Sequence, residues 1–179
     1  MRNCCKGAIV VVLAALLCGC FQSAQPLINA QNADYPFDST FHYTFYEWSK
    51  DSKTWAPSDT GTIKRDGDHY VQLADVGTDN GDPFFLKSIG DNFYIAQQPN
   101  KSNFIYDLVR LNGNIIYQYG LACSDDDKKF AMQGLIDSFN PESSGGNTCV
   151  VSSLDKLTRM FRAIAAERRQ PQGMFGRDG

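Results

Sequence analysis

The sequence lacks an apolar run long enough to cross a membrane as a helix. Its unbroken apolar run from Ala8 to Leu17 is ten residues long, whereas a membrane-spanning helix needs about 20 residues at roughly 1.5 Å each. The run follows Arg2 and Lys6. A short apolar stretch behind a basic start is typical of an export signal.

Residues that commonly carry catalysis are scarce. The chain has two histidines, His42 and His69. Neither lies in a nucleophile or zinc motif, because Gly-x-Ser-x-Gly and His-Glu-x-x-His are both missing. Each falls in a predicted strand, where we expect it to face solvent or to be held by hydrogen bonds. The sequence therefore predicts no catalytic residue, no metal site and no cofactor.

Two acidic segments each have a ligand-binding alternative. Residues 75–82 (DVGTDNGD) bring together the oxygen ligands that calcium prefers. Their spacing does not match an EF-hand loop, however, and the same residue types favour turns. Asp125, Asp126 and Asp127 could bind a metal or supply an acid, but acidic residues also stabilise a helix N-terminus. We expect a solvated loop at the first segment and a helix start at the second.

The end of the apolar run carries a short motif. Leu17-Cys18-Gly19-Cys20 resembles the lipobox of bacterial lipoproteins, with an aliphatic residue three positions before the Cys and a small residue directly before it. The resemblance implies that residues 1–19 are a signal peptide and that Cys20 is the lipidated N-terminus of the mature protein. Two or more acyl chains on Cys20 would anchor it stably to a membrane. The alternative is an ordinary secretory signal that happens to end in Cys.

The same resemblance implies a location. Lipoproteins of Gram-negative bacteria stay at the inner membrane when Asp follows the lipidated Cys. Phe21 follows Cys20 here, which favours the periplasmic face of the outer membrane. The resemblance covers only the first 20 residues. The rest of the chain looks like proteobacterial lipoproteins without an assigned activity, so it implies no function.

Removal of the signal leaves few cysteines. Four of the six lie in the first 20 residues, so Cys123 and Cys149 remain in the folded part. In an oxidising compartment we expect them to form a structural disulfide, and closing a loop of about 25 residues would contribute roughly 3 kcal/mol. A redox-active pair would favour Cys-x-x-Cys spacing, and a zinc site would need further ligands nearby.

The charge of the mature chain excludes one class of partner. The signal removes two of 17 basic residues and none of 20 acidic ones, which leaves 15 against 20 and a net charge of −5. Affinity for nucleic acid depends on Lys and Arg meeting phosphates. The sequence therefore predicts no nucleic-acid partner.

The mature chain begins without periodicity and then alternates. Residues 20–37 are mostly polar and contain two prolines, which predicts a lipidated N-terminus and a flexible tether. Phe41, Tyr43 and Phe45 then alternate with other side chains, as in a half-buried strand. Turns at 65–68, 89–91 and 112–114 separate further apolar stretches, and their glycines are spaced by 23 residues. This pattern favours an up-and-down antiparallel meander.

After Cys123 the pattern becomes helical. Ser124 and Asp127 resemble a capping box. Apolar residues then recur at helical spacing at Met132, Leu135, Ile136 and Phe139. A second helix is predicted over 154–167, capped by Ser152, with Leu157, Phe161 and Ile164 on its apolar face. Residues 168–179 offer little to bury, and we expect them to be disordered.

Two surface features have functional alternatives. Five basic residues could attract anionic lipid headgroups or form an ordinary solvated helix face, which we favour: Lys156, Arg159, Arg162, Arg168 and Arg169. Four aromatic residues could form a patch for sugar or peptide or could belong to the core of the sheet, which we also favour: Tyr43, Tyr46, Trp48 and Trp55.

These features together predict one α+β domain over 38–167. We expect six or seven antiparallel strands, curved or barrel-like, followed by two C-terminal helices and joined by Cys123–Cys149. We expect a non-catalytic lipoprotein, held to the membrane at Cys20, that binds a protein or an envelope component. An inhibitor of an envelope-degrading hydrolase is the alternative by analogy of fold alone, and a periplasmic enzyme is a further one.

Overall fold

The structure is a computed structural model that describes residues 21–37, 40–49, 51–74, 81–119, 123–141 and 147–177. The predicted signal peptide (1–19), the lipobox and Cys20 therefore lie outside the described residues, as do residues 75–80 of the first acidic segment. Across the described ranges, no helix has the length and apolar character that a membrane span requires.

The described residues form eleven β-strands and two short α-helices. The strands are β1 (Phe21–Ser23), β2 (Phe41–Ser49), β3 (Thr54–Asp66), β4 (His69–Ala74), β5 (Pro83–Gly90), β6 (Phe93–Asn100), β7 (Asn103–Asn112), β8 (Ile115–Tyr119), β9 (Ser138–Pro141), β10 (Asn147–Val150) and β11 (Gly173–Arg177). The helices are α1 (Lys128–Met132), which follows a 3₁₀ turn at Asp125–Asp127, and α2 (Leu154–Ala166).

Eight of the strands close into a ring. β2 to β8 pair in sequence order, β11 lies between β8 and β2, and β6 also pairs with β7. The ring pairings are antiparallel. The three predicted turns are confirmed. Their glycines, Gly67, Gly90 and Gly113, have φ of 62°, 99° and 59°, values that glycine adopts without strain. The expected meander is therefore present from β2 to β8.

The predicted fold class of six or seven strands and two C-terminal helices is wrong. The described chain is mostly β, with eleven strands in one sheet, and β1 pairs parallel to β10. Three strands were missed, namely β1, β9 and β11, and each has five residues or fewer. Segments of that length carry too few alternations to be recognised, and only pairing with longer neighbours stabilises them.

The predicted tether at 20–37 is also wrong for the residues that the structure describes. Gln22 pairs with Ile105 on β7 and with Val150 on β10. Phe21 and Ile28 are completely buried. The segment packs because its few apolar residues find a surface on the ring, which a local pattern cannot show. The domain therefore begins at or before Phe21, rather than at 38.

The predicted disordered tail at 168–179 contains a central strand of the ring. β11 pairs with β2 on one side and with β8 on the other. Its residue Phe175 is 5% exposed and packs against Phe45, with ring centroids 4.6 Å apart. A strand with one inward aromatic side chain and two glycines is stable here, because β2 and β8 form hydrogen bonds with its backbone on both sides.

The first predicted helix is much shorter than its apolar spacing indicates. α1 ends at Met132, and Gly134 follows with φ of 69°. Met132 is 84% exposed, whereas Phe139 lies in β9. The second helix is confirmed over Leu154–Ala166, but its N-cap is Ser153, whose side chain accepts from the N–H of Lys156, rather than Ser152.

Two separate hydrophobic cores result. The inner core lies inside the ring and includes Phe37, Phe41, Tyr43, Phe45, Ile63, Tyr70, Leu86, Val109, Ile116 and Phe175. The outer core lies between the ring and the segments that cover it, and includes Phe21, Ile28, Ile95, Tyr106, Leu108, Leu157, Met160, Phe161 and Ile164. β7 contributes alternate residues to both cores, so its central residues are buried on both faces.

The disulfide is where the sequence predicts it. Cys123 and Cys149 are joined, with their Cα atoms 5.8 Å apart, inside the range of about 4.4–6.8 Å that disulfides span. Both residues belong to the outer core. The bond connects the segment that leaves the ring after β8 to β10.

Candidate functional site

The inner core contains a cavity. Its volume is about 60 Å³. A cavity needs about 10–15 Å³ to hold one water molecule, so this space corresponds to roughly four to six waters. The residues that line it are Phe37, Ile63, Gln72, Phe84, Leu86, Ala96, Gln97, Gln98, Ile105, Asp107, Val109, Leu111, Ile116, Gln118 and Phe175. The walls are largely apolar, and a few polar groups converge on them.

Two of these polar groups form a buried pair on neighbouring strands. Asp107 on β7 and Gln118 on β8 are each 5% exposed. The Nε2 of Gln118 donates a hydrogen bond to Oδ2 of Asp107 over 2.9 Å. Asp107 faces the interior because it lies two residues from Ile105 and from Val109 on β7, on the same face of the strand, and both of these also line the cavity. An acidic residue is therefore enclosed in the middle of a doubly buried strand.

The enclosure changes the acidity of Asp107. Burial raises the pKa of its carboxyl from 3.8 to about 7, and the hydrogen bond from Gln118 opposes this only in part. Burial acts in this direction because a low-dielectric environment disfavours the charged form. Below pH 7 the carboxyl is therefore mainly neutral, which allows it to donate as well as accept a hydrogen bond.

The amide of Gln118 has spare hydrogen-bonding capacity. Its Oε1 is buried and has no hydrogen-bond partner among the described residues. Gly173 lies opposite Gln118 on β11, and a Cβ there would lie 3.2 Å from Oε1 and 2.7 Å from the ring of Phe45. The absence of a side chain at 173 thus preserves the space around the Gln118 carbonyl.

Two of the three other glutamines that line the cavity, Gln97 and Gln72, are already engaged. Oε1 of Gln97 accepts from the N–H groups of Leu27 and Ile28 over 2.8 and 2.7 Å, and its Nε2 donates to Ile28 O over 2.7 Å. The Nε2 of Gln72 donates to the hydroxyl of Tyr43. Gln97 therefore fixes the N-terminal segment to the ring, and Gln72 orients a core tyrosine.

Phe37 is held against the ring by polar and aromatic contacts. Its N–H donates to the hydroxyl of Tyr70 over 3.1 Å, and that hydroxyl donates to Phe37 O over 2.8 Å. The guanidinium of Arg177 lies over the ring of Phe41 at 4.4 Å and over that of Phe37 at 5.4 Å. These contacts hold the Phe37 ring, which lines the cavity, in place between Tyr70 and Arg177.

The two histidines lie away from this cavity. His42 is exposed, and its Nδ1 is 2.9 Å from Oγ1 of Thr62. His69 is half-buried, and its Nδ1 is 3.1 Å from Oδ1 of Asp68. Neither is among the residues that line the cavity. The structure thus brings neither histidine to the candidate site.

The second acidic segment starts a helix, as the sequence predicts. Oδ2 of Asp127 accepts from the N–H and the hydroxyl of Ser124 over 2.8 and 3.0 Å. Nη2 of Arg169 lies 3.6 Å from the other carboxylate oxygen, and Asp126 is exposed. Among the described residues, no three His, Cys, Asp or Glu side chains form a group that could hold a metal ion.

The predicted aromatic group is divided. Tyr43 belongs to the inner core, whereas Tyr46, Trp48 and Trp55 are half-buried and belong to neither core. Trp48 and Trp55 pair across β2 and β3 with ring centroids 5.3 Å apart. The expectation that all four are core residues is therefore wrong, because the β2–β3 hairpin is longer than the part that faces the ring interior.

The basic residues of the C-terminal region are extensively paired. Lys156 contacts Asp137, Arg159 lies 3.8 Å from Asp155, and Arg169 lies 2.7 Å from Glu167. The Nε of Arg162 donates to Ile89 O over 2.9 Å. These contacts favour the expectation of an ordinary helix face over a free polybasic surface.

Comparison with known proteins finds no matching family model, no matching curated protein and no matching solved structure.

Sequence reasoning missed Asp107 and Gln118. A signal was present, because Asp107 interrupts the apolar stretch Ile105-Tyr106-Asp107-Leu108-Val109. A lone acidic residue among strand-forming apolar residues indicates either an outward position or a buried polar group. Only the closed ring shows that Asp107 is a buried polar group that faces the cavity. Its neighbours Tyr106 and Leu108 face out of the ring and are covered by the outer core.

Proposed function

We propose that this chain is a lipid-anchored protein of the bacterial envelope that acts as a non-catalytic binding module. The lipobox-like residues 17–20 support the anchor at Cys20, and Phe21 supports the periplasmic face of the outer membrane. The bound partner is an envelope component small enough to enter the ring, and the cavity beside Asp107 and Gln118 is its binding site.

The single observation that carries this proposal is the cavity itself. A closed ring of eight strands is just wide enough for side chains to fill it or for one small ligand to be held inside. Ligand sites combine mainly apolar walls with a few placed polar groups, and the cavity has this composition. A fully packed interior would leave no such space.

The outer surface also favours a small ligand over a protein partner, because the described residues present no large apolar docking face. Among the described residues, Met132 is the large hydrophobic side chain that is exposed. Interfaces with other proteins usually present a contiguous apolar patch.

The packed N-terminal segment supports an anchor close to the folded body. Phe21, directly after Cys20, is completely buried and meets Phe161 of α2 edge-on at 5.7 Å. A lipid on Cys20 would therefore hold the folded body within one residue of the bilayer. A ligand that partitions into or out of the membrane surface would meet the protein at short range.

The test is whether protein isolated from envelopes carries a small molecule. Full-length protein purified in mild detergent is measured by native mass spectrometry and again after denaturation. We expect an additional mass that denaturation releases. Ala96 lines the cavity, so Ala96→Leu should fill it and remove that mass. The matched control is Ala30→Leu, which adds the same atoms at an exposed position. Wild type without a bound mass, or Ala96→Leu with an unchanged one, would overturn the proposal.

A further inference from the structure

β4 and β5 form the shortest ladder of the ring within the described chain. They share two pairs of residues, Tyr70 with Phe84 and Val71 with Pro83. β4 begins one residue before Tyr70, and the two strands are antiparallel, so β5 extends past the start of β4 from Leu86 onward. Because buried or half-buried backbone groups need hydrogen-bond partners, this part of the β5 edge depends on a segment other than β4.

Asp34, from the segment before β2, supplies these partners. Its N–H donates to Leu86 O over 2.8 Å, and its Oδ2 accepts from the N–H of Ser88 over 2.8 Å. The Nζ of Lys87 lies 3.1 Å from the same carboxylate oxygen. Asp34 thus continues the β5 edge where β4 has ended, but it belongs to a loop rather than to a strand.

This loop is fixed at its two ends and little buried between them. Ile28 is completely buried in the outer core. Phe37 is 6% exposed, and its N–H and its carbonyl oxygen are both bonded to the hydroxyl of Tyr70. Residues 29–36 between them are exposed or half-buried. Segments with few buried contacts open locally at a lower free energy than the whole fold.

Phe37 is the residue through which the loop reaches the cavity. Every other lining residue of the described chain lies in a strand of the ring. Moving one of those would break a ladder, whereas withdrawing Phe37 breaks its bonds to Tyr70 and its edge contacts with the rings of Tyr70 and Phe41, at 5.4 and 5.2 Å. The cavity has room for roughly four to six waters, so a ligand with more heavy atoms requires a wall side chain to move.

We propose that residues 29–37 form a strap that opens and closes the cavity: when Asp34 leaves β5 and Phe37 leaves Tyr70, the phenyl ring withdraws from the wall and the ligand takes its place. This inference rests on the proposed function, because the strap regulates access to the same site. It also explains how a cavity of this size serves a ligand larger than the cavity, since the described structure is then the closed state.

The outer contacts of the strap suit such a motion. The hydroxyl of Tyr35 donates to Asp68 O over 2.7 Å at an exposed position. The ion pair of Asp34 with Lys87 is also partly exposed. Water replaces contacts of this kind at little cost, so the strap can leave the ring without unfolding it.

The experiment measures how fast a small thiol reagent, methyl methanethiosulfonate, reaches the wall of the cavity in full-length protein in detergent. Val109→Cys places a thiol there, at a residue that is 7% exposed, and Ile116→Cys is a second reporter. Mass spectrometry of the peptide that contains the reporter gives the rate at several urea concentrations below the unfolding transition. We expect labelling through an opening that costs less free energy than global unfolding and depends less on urea.

Variants of the strap identify that opening. Asp34→Ala removes the carboxylate that holds β5 and should speed labelling by about five-fold or more, because the lost contact is broken in the open state as well. Tyr70→Phe removes the hydroxyl that holds Phe37 and should act in the same direction. The matched control is Asp66→Ala, which removes an exposed carboxylate 3.9 Å from Lys64 and should leave the rate within about two-fold.

Two outcomes would overturn the strap. If labelling of the reporter follows urea as steeply as global unfolding does, the strap does not open by itself, and this result needs no strap variant. If labelling is cheaper than unfolding but is unchanged by Asp34→Ala and by Tyr70→Phe, the entrance lies elsewhere in the ring. Neither outcome touches the proposed function, which depends on the mass bound to wild type. Absence of that mass overturns the proposed function, whichever way the reporter is labelled.

Discussion

The buried carboxyl of Asp107 should make the protein less stable as the pH rises from 5 to 7. Its pKa is about 7 in the folded chain, against an ordinary value of 3.8. Between these values the folded state binds more protons than the unfolded state, so stability falls with rising pH. The contribution is fully present below pH 3.8 and is lost above about pH 7. At ~1.36 kcal/mol per pKa unit the whole effect is about 4 kcal/mol, of which about 2 kcal/mol falls between pH 5 and 7.

The assay is urea unfolding of wild type and Asp107→Asn at pH 5, 6, 7 and 8. Asn cannot ionise, so the free energy of unfolding of wild type minus that of the variant should decrease by about 2 kcal/mol from pH 5 to 7 and then level off. Hydrogen bonds from Lys156 and Lys129 are the largest causes that lower the pKa of Asp137 and Glu167. The effects of Asp137 and Glu167 on stability therefore occur at lower pH. Both residues are present in wild type and variant, so these effects cancel when the two free energies of unfolding are subtracted.

An exposed acidic residue provides the control. Asp126→Asn removes a carboxylate from an exposed position, and its difference from wild type should be flat over the same range. A difference for Asp107→Asn that does not change with pH between 5 and 8 would refute the reasoning. It would mean that Asp107 does not titrate there, and the argument for a neutral carboxyl in the cavity would lose its basis.

Four further outcomes are expected. Cys20→Ser should abolish incorporation of labelled palmitate; a wild type that incorporates none would contradict the lipobox interpretation. Reduction, or Cys149→Ser, should lower the unfolding free energy by roughly 2–4 kcal/mol, and thiol titration of the denatured, unreduced protein should find no free thiol. Phe21→Asp would place a charge in the outer core and should unfold the domain, so sorting is tested by an insertion instead. Inserting Asp between Cys20 and Phe21 should shift the protein from the outer to the inner membrane, whereas inserting Ser there should not. Gly173→Ala should destabilise by about 1–3 kcal/mol through overpacking, and Gly176→Ala, whose Cβ would have ordinary contacts at 3.4 Å or more, should change stability less.

The hairpins of the ring were predictable because their signals are local. A glycine with positive φ between two apolar stretches sets a turn, and Gly67, Gly90 and Gly113 each do so. α2 was equally accessible, since Leu157, Phe161 and Ile164 face one side of it and are all buried. The disulfide followed from elimination, because Cys123 and Cys149 were the cysteines left in the folded part.

The N-terminal segment and the last strand could not be predicted in the same way. Phe21 and Phe175 are single aromatic residues in polar or glycine-rich surroundings, so neither has a periodic pattern to reveal it. Their burial depends on surfaces built by residues more than 100 positions away in the sequence, at Phe161 and Phe45. Long-range contacts of this kind leave no trace in a short window.

The sequence by itself predicted an export signal and a lipobox, which stay predictions. It determined the order of the hairpins and the second helix, because each depends on neighbours along the chain, and the pairing of Cys123 with Cys149, because no other cysteine was left to pair. Only the tertiary structure decided that the sheet closes, since closure requires β6 to pair with β7 and β11 to pair with both β2 and β8. That closure turned Asp107 from an unremarked strand residue into a buried acid beside Gln118. Burial, and with it the pKa of the carboxyl, is a property of everything that surrounds a side chain in space.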